Sequence, residues 1–408
     1  MQNMKTARPG ASCPGAYGSA SILAAYFSTL AMSKLLGALL ALFLLFGSSP
    51  AARAQAPAAR PAPLRVGIAG LTHTHVHGLL GRAQRGDLVI VGIAEPNRAL
   101  AERYTKQHGL SMALVYSSLE EMLAKTKPEA VTAFGSIYEH LGVVQACAPR
   151  GIHVMVEKPL AVSLDHARQM AALARQYHIH LLTNYETTWY GSNRRAYELA
   201  DQEKALGDIR RMVAHDGHQG PKEIGVNQEF LSWLTDPVQN GGGALIDFGC
   251  YGADLMTWLM RGERPLSVTA SALHIKPDVY PKVEDDVTVL VTYAKAQGVI
   301  EASWNWPYAR KDLEVYGQTG SVVALDRDHL RLRRTEKEAP QELTVPAPPA
   351  PYDEPFAYLA AVVKGNAPED VLSSLATNML VVEILDAARQ SAREGRTVKL
   401  PAAPVYAP

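Results

Sequence analysis

Leu64-Arg-Val-Gly67-Ile-Ala-Gly70-Leu71-Thr72-His73-Thr-His75 is the segment most informative about the fold. Its pattern predicts a short apolar strand, a glycine turn and the start of a helix. Glycines at such a turn let the backbone approach the pyrophosphate of a dinucleotide, which rests on the helix N-terminus. Thr72 replaces the second glycine of the usual G-x-G-x-x-G pattern, and His75 or a neighbour replaces the third. The motif is therefore weak alone, and its position in a βαβ unit strengthens it.

Short apolar strands alternate with helices over the first half of the chain. We predict strands at 64–69, 88–94, 130–133, 152–156 and 179–183, and helices at 75–85, 97–108, 118–124, 137–148 and 164–177. This alternation predicts a parallel sheet covered on both faces. We therefore expect a Rossmann dinucleotide-binding domain over residues 64–184.

The rhythm changes after Tyr185. A helix at 192–201, a strand at 209–215 and a helix at 244–259 precede strands at 266–274, 286–293, 299–304, 312–316, 321–325 and 329–334. A proline-rich loop at 339–351 and helices at 355–364 and 372–393 follow. Strands joined by short turns favour a mostly antiparallel sheet, so we expect a second α/β domain over residues 185–401 and a tail at 402–408.

The first 54 residues are typical of a targeting segment. Lys34, an apolar run at 35–46 and Ala52-Arg53-Ala54 give the three parts of a secretory signal peptide, with Met32 as the expected start and cleavage after Ala54. The apolar run is short for a membrane span, and no cysteine follows the cleavage site to carry a lipid. We expect Sec-type export to the periplasm, no membrane anchoring after cleavage, and a Pro/Ala linker at 55–63.

Composition excludes several classes of protein. The chain has 40 basic and 40 acidic residues and no basic stripe, which argues against nucleic acid or an anionic membrane surface as partner. Its three cysteines, Cys13, Cys147 and Cys250, make no disulfide framework.

Glu95 ends the second predicted strand. An acid there accepts hydrogen bonds from the adenosine ribose and repels a 2′-phosphate, which favours NAD over NADP. A glutamate that only opens the next helix is the alternative. The predicted cofactor contacts are Gly67, Gly70, Leu71, Thr72, His73, Glu95, Glu157 and Lys158.

His73, His75 and His77 raise the question of a metal. Alternate residues share a face only on a strand, and this segment turns into a helix. No cysteine or carboxylate lies near them in the sequence. We therefore predict no metal site and expect the histidines to edge the phosphate turn or the mouth of a pocket.

Val156-Glu157-Lys158-Pro159-Leu160 follows a buried strand. Pro159 keeps Lys158 out of helical conformation, so the ammonium group points from the carboxyl end of the sheet, where open α/β sheets bind ligands. Beside a positively charged nicotinamide ring the lysine would have a lowered pKa and could relay protons. A solvated strand-end charge pair is the alternative.

Asn240-Gly241-Gly242-Gly243 leads into a helix that carries Asp247, Tyr251 and Asp254. The i, i+4 spacing places Asp247 and Tyr251 on one helical face, and the glycines would let a substrate approach. Asp247 would hold a hydroxyl, and Tyr251, its pKa lowered by Lys158, would take the hydroxyl proton as hydride leaves the carbon. Lys158, Asp247 and Tyr251 are thus the predicted catalytic residues; a cap-and-core helix is the alternative.

Three polar-aromatic clusters are candidate pocket walls, at 184–190, 215–218 and 304–311. Aromatic faces with amides and carboxylates around them suit a carbohydrate, although core packing explains each cluster about as well. The predicted substrate contacts are Tyr185, Trp189, His218, Asp247 and Tyr251.

Together these motifs resemble the Gfo/Idh/MocA family of oxidoreductases, and the likeness runs from about Leu64 to Pro401. Its carriers are Gly67-x-x-Gly70, Val156 to Leu160, Gly241 to Asp254, and the tail segment Glu394 to Pro401. The resemblance implies a Rossmann domain followed by a large, open, mostly antiparallel sheet often used for oligomerisation, and places Lys158 and Asp247 in the catalytic site. Many members carry histidine where this chain has Tyr251, and Thr72 also departs from the pattern.

Three functions follow as hypotheses. The first is a nicotinamide-dependent oxidoreductase acting on a ring hydroxyl or carbonyl of a sugar or cyclitol, as a homo-oligomer (dimer or tetramer). The second is an NAD-dependent glycosidase that works by transient C3 oxidation and elimination, which export favours because the cofactor would be recycled. The third is a non-catalytic sugar-binding protein. Fold alone does not choose among them.

Overall fold

The computed structural model describes residues 62–402. The predicted signal peptide, all but the end of the linker, and most of the predicted tail lie outside the described residues. Within 62–402, no helix is both long enough and apolar enough to cross a bilayer.

The strands are β1 (Leu64–Ala69), β2 (Leu88–Ala94), β3 (Val115–Tyr116), β4 (Ala130–Ala133), β5 (His153–Glu157), β6 (Leu181–Asn184), β7 (Ile209–Gly217), β8 (Ser267–Leu273), β9 (Asp286–Thr292), β10 (Gln297–Ser303), β11 (Arg310–Gly317), β12 (Ser321–Ala324), β13 (His329–Arg333), β14 (Gln341–Thr344) and β15 (Val398–Lys399). The α-helices are α1 (Val76–Leu80), α2 (Arg98–His108), α3 (Leu119–Thr126), α4 (His140–Cys147), α5 (Leu164–Tyr177), α6 (Gly191–Tyr197), α7 (Gln228–Leu234), α8 (Ala244–Asp247), α9 (Gly249–Leu259), α10 (Pro355–Val363) and α11 (Leu375–Glu394).

The first sheet has six strands in the order β3-β2-β1-β4-β5-β6, and every pair is parallel. Parallel strands need helical crossovers, so helices cover both faces and the central strands are largely buried; all four residues of β4 are buried. The order reverses between β1 and β4. That reversal is the switch point at which doubly wound sheets bind ligands, and the predicted Rossmann sheet is confirmed.

The second sheet has nine strands in the order β14-β13-β12-β11-β7-β10-β9-β8-β15. Only β7 and β10 pair in parallel, so the predicted mostly antiparallel sheet is also confirmed. Helix α9 lies between this sheet and α11, and for that reason all of its residues are buried, including the polar ones.

The C-terminal helices connect the cores of the two sheets. On α11, Met379 and Val382 pack into the core of the first sheet, whereas Ile384 and Leu385 pack into the core of the second. Phe356 of α10 lies in the first core as well. The C-terminal part of the predicted second domain (185–401) therefore packs against the first sheet. The sequence does not show this, because the pattern of a helix with two apolar faces does not indicate which sheet each face contacts.

Several predicted elements differ in the structure. The helix predicted at 244–259 is broken at Phe248, which separates α8 from α9. The predicted loop at 339–351 contains the edge strand β14. The sequence analysis also missed β3, α7 and β15, because elements of two to seven residues carry too little hydrophobic pattern to detect.

Candidate active site

Lys158 follows directly on β5, and its side chain meets Asp247 at the end of α8. The Lys158 Nζ donates to Asp247 Oδ1 at 2.6 Å and to the Asp247 carbonyl oxygen at 2.7 Å. Trp304 Nε1 donates to the other carboxylate oxygen at 3.0 Å. Both side chains of the pair are more than nine-tenths buried. The pair thus joins the end of a strand of the first sheet to the helix α8, which packs on the second sheet.

Electrostatics keep both members of the pair ionised. Burial opposes the charge on Lys158, but the Asp247 carboxylate outweighs burial and the pKa of the lysine is raised. Burial likewise acts to raise the pKa of Asp247, but the Lys158 ammonium group outweighs it and the pKa is lowered. The sequence predicted a lowered pKa for Lys158. In the described chain, the Asp247 carboxylate raises it instead.

Tyr251 lies one turn into α9, beyond the break at Phe248. The Lys158 Nζ is 5.1 Å from the centre of its ring, and the Lys311 Nζ is 4.8 Å from it. Burial raises the pKa of Tyr251 well above its ordinary value, and the Glu186 carboxylate adds to the rise. The expectation that Lys158 lowers this pKa is therefore wrong. The Tyr251 hydroxyl therefore keeps its proton near neutral pH and can donate a hydrogen bond.

Lys158, Asp247 and Tyr251 line one cavity of about 850 Å³ between the two sheets. One wall is apolar and comes from the segment 221–234, which includes α7. Another wall is charged and comes from β11 and the turn after β6. Phe248 and the predicted substrate contact His218 also line the cavity, with their rings in edge contact at 4.9 Å. The volume lies within the range of small-molecule binding sites.

The charged wall contains residues that lie in the predicted clusters but were not chosen as contacts. Lys311 forms an ion pair with Glu186, whose other oxygen accepts from the Tyr190 hydroxyl at 2.7 Å. Although burial acts against ionisation, Lys311 lowers the pKa of Glu186 to about 2. Only the fold reveals this wall, because β11 is more than a hundred residues from Glu186 in sequence.

Two predicted substrate contacts lie elsewhere. Tyr185 is fully buried and packs edge-on against Tyr251 at 5.8 Å, behind the cavity wall. Trp189 donates through Nε1 to Asn184 Oδ1 at 2.9 Å and lines a separate, shallower groove. Both residues support the site by packing, since aromatic side chains next to a pocket often belong to the core.

The glycine run before α8 serves the protein chain rather than a substrate. A Cβ at Gly243 would lie 1.9 Å from the Glu284 carbonyl oxygen, and a Cβ at Gly241, where φ is +90°, would lie 3.0 Å from the Val162 carbonyl oxygen. None of the three glycines lines the large cavity. Their role is close backbone packing, which places Asp247.

The glycine turn after β1 is divided between two roles. A Cβ at Gly67 would lie 2.7 Å from Met122 Cε, so this glycine admits α3 and is not placed to touch a cofactor. Gly70 has φ of +80° and approaches the backbone of Gly135, and it lines a second cavity. The fully buried Leu71 side chain belongs to the core of the first sheet.

Glu95 and Thr72 are also engaged with the protein. The Glu95 carboxylate accepts from the Leu71 amide at 2.9 Å and from the Asn97 amide at 2.8 Å, so it fastens the turn to the end of β2. Thr72 Oγ1 accepts from Trp233 Nε1 at 3.0 Å. Thr72 thus connects the turn to α7, which explains the departure from glycine at this position.

The second cavity, of about 600 Å³, lies at the carboxyl ends of β1, β2 and β4. His140 lines it and is 1% exposed. Its Nδ1 is 3.1 Å from the Leu160 carbonyl oxygen and must carry the proton, so the buried Nε2 is an acceptor with no partner among the described residues. Burial lowers the pKa of His140 to about 4, which keeps the ring neutral.

His73, His75 and Glu157 form a cluster at the same edge. His75 Nδ1 is 3.0 Å from Glu157 Oε2, and His73 Nε2 is 4.0 Å from it. The fold thus supplies the carboxylate that the sequence analysis did not find near these histidines. His73 Nδ1 accepts from the His75 amide at 3.1 Å, so its Nε2 carries the proton and lacks the lone pair that a metal needs. His77 lies away from the cavities, against His108 and Tyr104.

Family comparisons agree with this architecture. A profile described as "Oxidoreductase family, NAD-binding Rossmann fold" matches residues 64–185, and one described as "GFO/IDH/MocA C-terminal domain" matches residues 194–323. Together they cover more than half of the chain. The chain belongs to the Gfo/Idh/MocA family of oxidoreductases, with an NAD-binding domain of Rossmann type.

Individual relatives are dehydrogenases and reductases. The chain is 30% identical to trans-1,2-dihydrobenzene-1,2-diol dehydrogenase of Xenopus tropicalis over 53% of this chain and 61% of that protein. It is 25% identical to 1,5-anhydro-D-fructose reductase of Ensifer adhaerens over 78% of this chain and 94% of that protein. The chain therefore spans about three fifths of the first curated relatives it matches.

Solved structures share the fold. An inositol dehydrogenase homolog complexed with NAD+ from Azotobacter vinelandii superposes with a TM-score of 0.72 at 19% identity, covering 83% of this chain and 97% of that one. At this identity the likeness establishes the architecture alone.

Proposed function

We propose that the protein is an NAD-dependent dehydrogenase or reductase acting on a ring hydroxyl or carbonyl of a sugar, cyclitol or related diol. One observation carries the proposal. A buried Lys158–Asp247 ion pair lies in the wall of a cavity at the carboxyl edge of a Rossmann sheet, which is where such folds bind ligands. The named activities of the two relatives support the substrate class.

The chain's own residues would bind and polarise one substrate oxygen. The Lys158 ammonium group donates two of its three hydrogens to Asp247. The third is available to donate to a ligand in the cavity. Tyr251 lines the cavity as a second donor. Two donors at one oxygen stabilise the charge that develops as a carbinol becomes a carbonyl or the reverse. A bound nicotinamide would supply the hydride acceptor or donor.

NAD remains the proposed cofactor. The carboxylate of Glu95 at the end of β2 disfavours a 2′-phosphate nearby, even though backbone amides already bind both of its oxygens. Calorimetric titration with NAD+ and with NADP+ tests this preference. Tighter binding of NADP+ would contradict it.

Export and self-association stay proposals from the sequence. The predicted signal peptide supports a periplasmic location, and the resemblance to the family supports a homo-oligomer formed through the open face of the second sheet. Native mass spectrometry of protein from the exported fraction would report cleavage after Ala54, cofactor occupancy and subunit number. An uncleaved cytoplasmic monomer would contradict both proposals.

Turnover assays test the proposed reaction. Purified protein is incubated with NAD+ and myo-inositol, D-glucose, D-xylose or methyl β-D-glucoside, and separately with NADH and 1,5-anhydro-D-fructose. We expect a change in NADH absorbance with at least one of these probes, and loss of that change in a Lys158→Met variant. Absence of both turnover and NAD binding would contradict the proposal. The two relatives described above give no support to the glycosidase hypothesis.

A further inference from the structure

His75 and Glu157 form a carboxylate–imidazole pair at the edge of the large cavity. His75 Nδ1 lies 3.0 Å from Glu157 Oε2. The other carboxylate oxygen accepts from Asn184 Nδ2 at 2.7 Å, and Glu157 is 2% exposed. Each oxygen of the Glu157 carboxylate therefore has a hydrogen-bond partner, and the carboxylate fixes the orientation of the His75 imidazole.

This contact sets the tautomer of His75. Burial opposes ionisation of Glu157, but His75 and His73 lower its pKa to about 2, so the carboxylate only accepts. His75 Nδ1 must then carry the proton, and the lone pair lies on Nε2. That nitrogen has no hydrogen-bond partner among residues 62–402, and the side chain is 35% exposed and lines the large cavity.

The proposed reaction needs a proton acceptor that the predicted catalytic residues do not provide. Lys158 and Tyr251 both remain protonated. The Asp247 carboxylate already accepts from Lys158 and from Trp304. In the oxidative direction the substrate hydroxyl must lose its proton, and a group with a free lone pair in the cavity has to receive it.

We propose that His75, oriented by Glu157, is the base that removes the hydroxyl proton during oxidation. The O–H bond breaks and the proton moves to His75 Nε2. NAD+, when bound, would accept the hydride that leaves as the carbinol C–H bond breaks, so that the products would be a carbonyl compound, NADH and an imidazolium ion held by the Glu157 carboxylate. Glu157 acts as a positioning residue. This inference rests on the proposed function.

Several charged and titratable groups surround His75. Glu157 faces it from the end of β5, and His73 faces it from the same turn at a ring distance of 4.5 Å. Glu186 from the turn after β6 acts on it across the cavity, and Arg327, Asp353 and Glu354 line the adjoining groove. A reaction that depends on one base slows on the acid side of its pH profile.

Variants of two histidines separate this role from a structural one. In His75→Gln we expect kcat for oxidation of the best probe to fall about 100-fold at pH 7.5, with the acid limb of the pH profile lost. The dissociation constant of NAD+, measured by calorimetry, should stay within about twofold of the wild-type value, because the proposed role of the side chain is to accept the proton of the substrate hydroxyl. His77→Gln is the matched control and should leave kcat and the pH profile unchanged.

A second readout does not depend on turnover. In cofactor-free protein with isotope-labelled histidine, nitrogen NMR should show His75 protonated on Nδ1 at high pH, and Glu157→Gln should change that tautomer balance. Protonation of His75 on Nε2 in the wild-type protein, or an unchanged pH profile in His75→Gln, would overturn the role of His75 alone. Failure of the wild-type protein to oxidise any probe would instead overturn the proposed function and the role of His75 with it.

Discussion

Lys158 and Asp247 depend on each other for their charge, because each is buried and each is the other's main partner. Removing one member leaves an uncompensated charge, whereas removing both leaves none. We therefore expect Lys158→Met to lower the free energy of unfolding by about 3 kcal/mol at pH 7. Adding Asp247→Asn should recover part of that loss, and denaturant unfolding of both variants measures it. Equal stability of the single and double variants would contradict a coupled pair.

The same residues predict a pH window. The lowered pKa of Asp247 contributes stability above about pH 4 that is lost as pH falls further, since the unfolded carboxyl group binds the proton first. The raised pKa of Lys158 contributes stability below about pH 10.5 that is lost as pH rises beyond the folded pKa. The pair should therefore stay charged across the range in which activity is measured.

His140 predicts a further loss of stability as pH falls, at higher pH than the loss from Asp247. Because burial lowers its pKa to about 4, the unfolded state takes up a proton between about pH 6.5 and 4 that the folded state does not. Stability should therefore fall by about 2 kcal/mol from pH 7.5 to pH 5 on account of this residue. His140→Gln should remove that slope in thermal unfolding, and comparing the two pH values cancels any constant loss of packing. A slope unchanged by the substitution would contradict the buried neutral histidine.

At the scale of elements, the short helix α8 is positioned by glycine packing. A Cβ at Gly243 would lie 1.9 Å from the Glu284 carbonyl oxygen, and backbone atoms cannot move aside as a flexible side chain can. We expect Gly243→Ala to destabilise the protein by about 3 kcal/mol. Gly142 lies within α4, where a Cβ would meet nothing within 4 Å, so Gly142→Ala should stabilise it by about 0.5–1 kcal/mol. Equal melting temperatures for the two variants would contradict this role of Gly243.

The elements also show where sequence patterns are sufficient. The strand–helix alternation from β1 to β6 identifies the Rossmann sheet, because buried parallel strands are short and mostly apolar. The helix start at Ser163 is equally clear, since its side chain accepts from the His166 amide as an N-cap should. The break at Phe248 has only a weak signal, because Asp247 and Gly249 flank it but apolar residues continue beyond both of them.

At the scale of the molecule, sequence motifs located the charges of the site but not all of their partners. Lys158 and Asp247 could be chosen because a strand-end lysine and a glycine-preceded helix are unusual. The partners of Glu157 could not, since His75 lies 82 residues away and only the sheet brings the two together. The roles of Glu95 and Tyr251 depend on burial and on backbone amides, which no linear pattern reveals.

The central claim is that the carboxyl edge of the first sheet binds a dinucleotide whose nicotinamide end reaches Lys158, Asp247 and Tyr251. A crystal structure of the protein grown with NAD+ tests this most directly. We expect the adenosine in the cavity that contains His140 and the nicotinamide ring in the large cavity beside Lys158. Density for NAD+ at another surface, or both cavities empty at saturating NAD+, would contradict it.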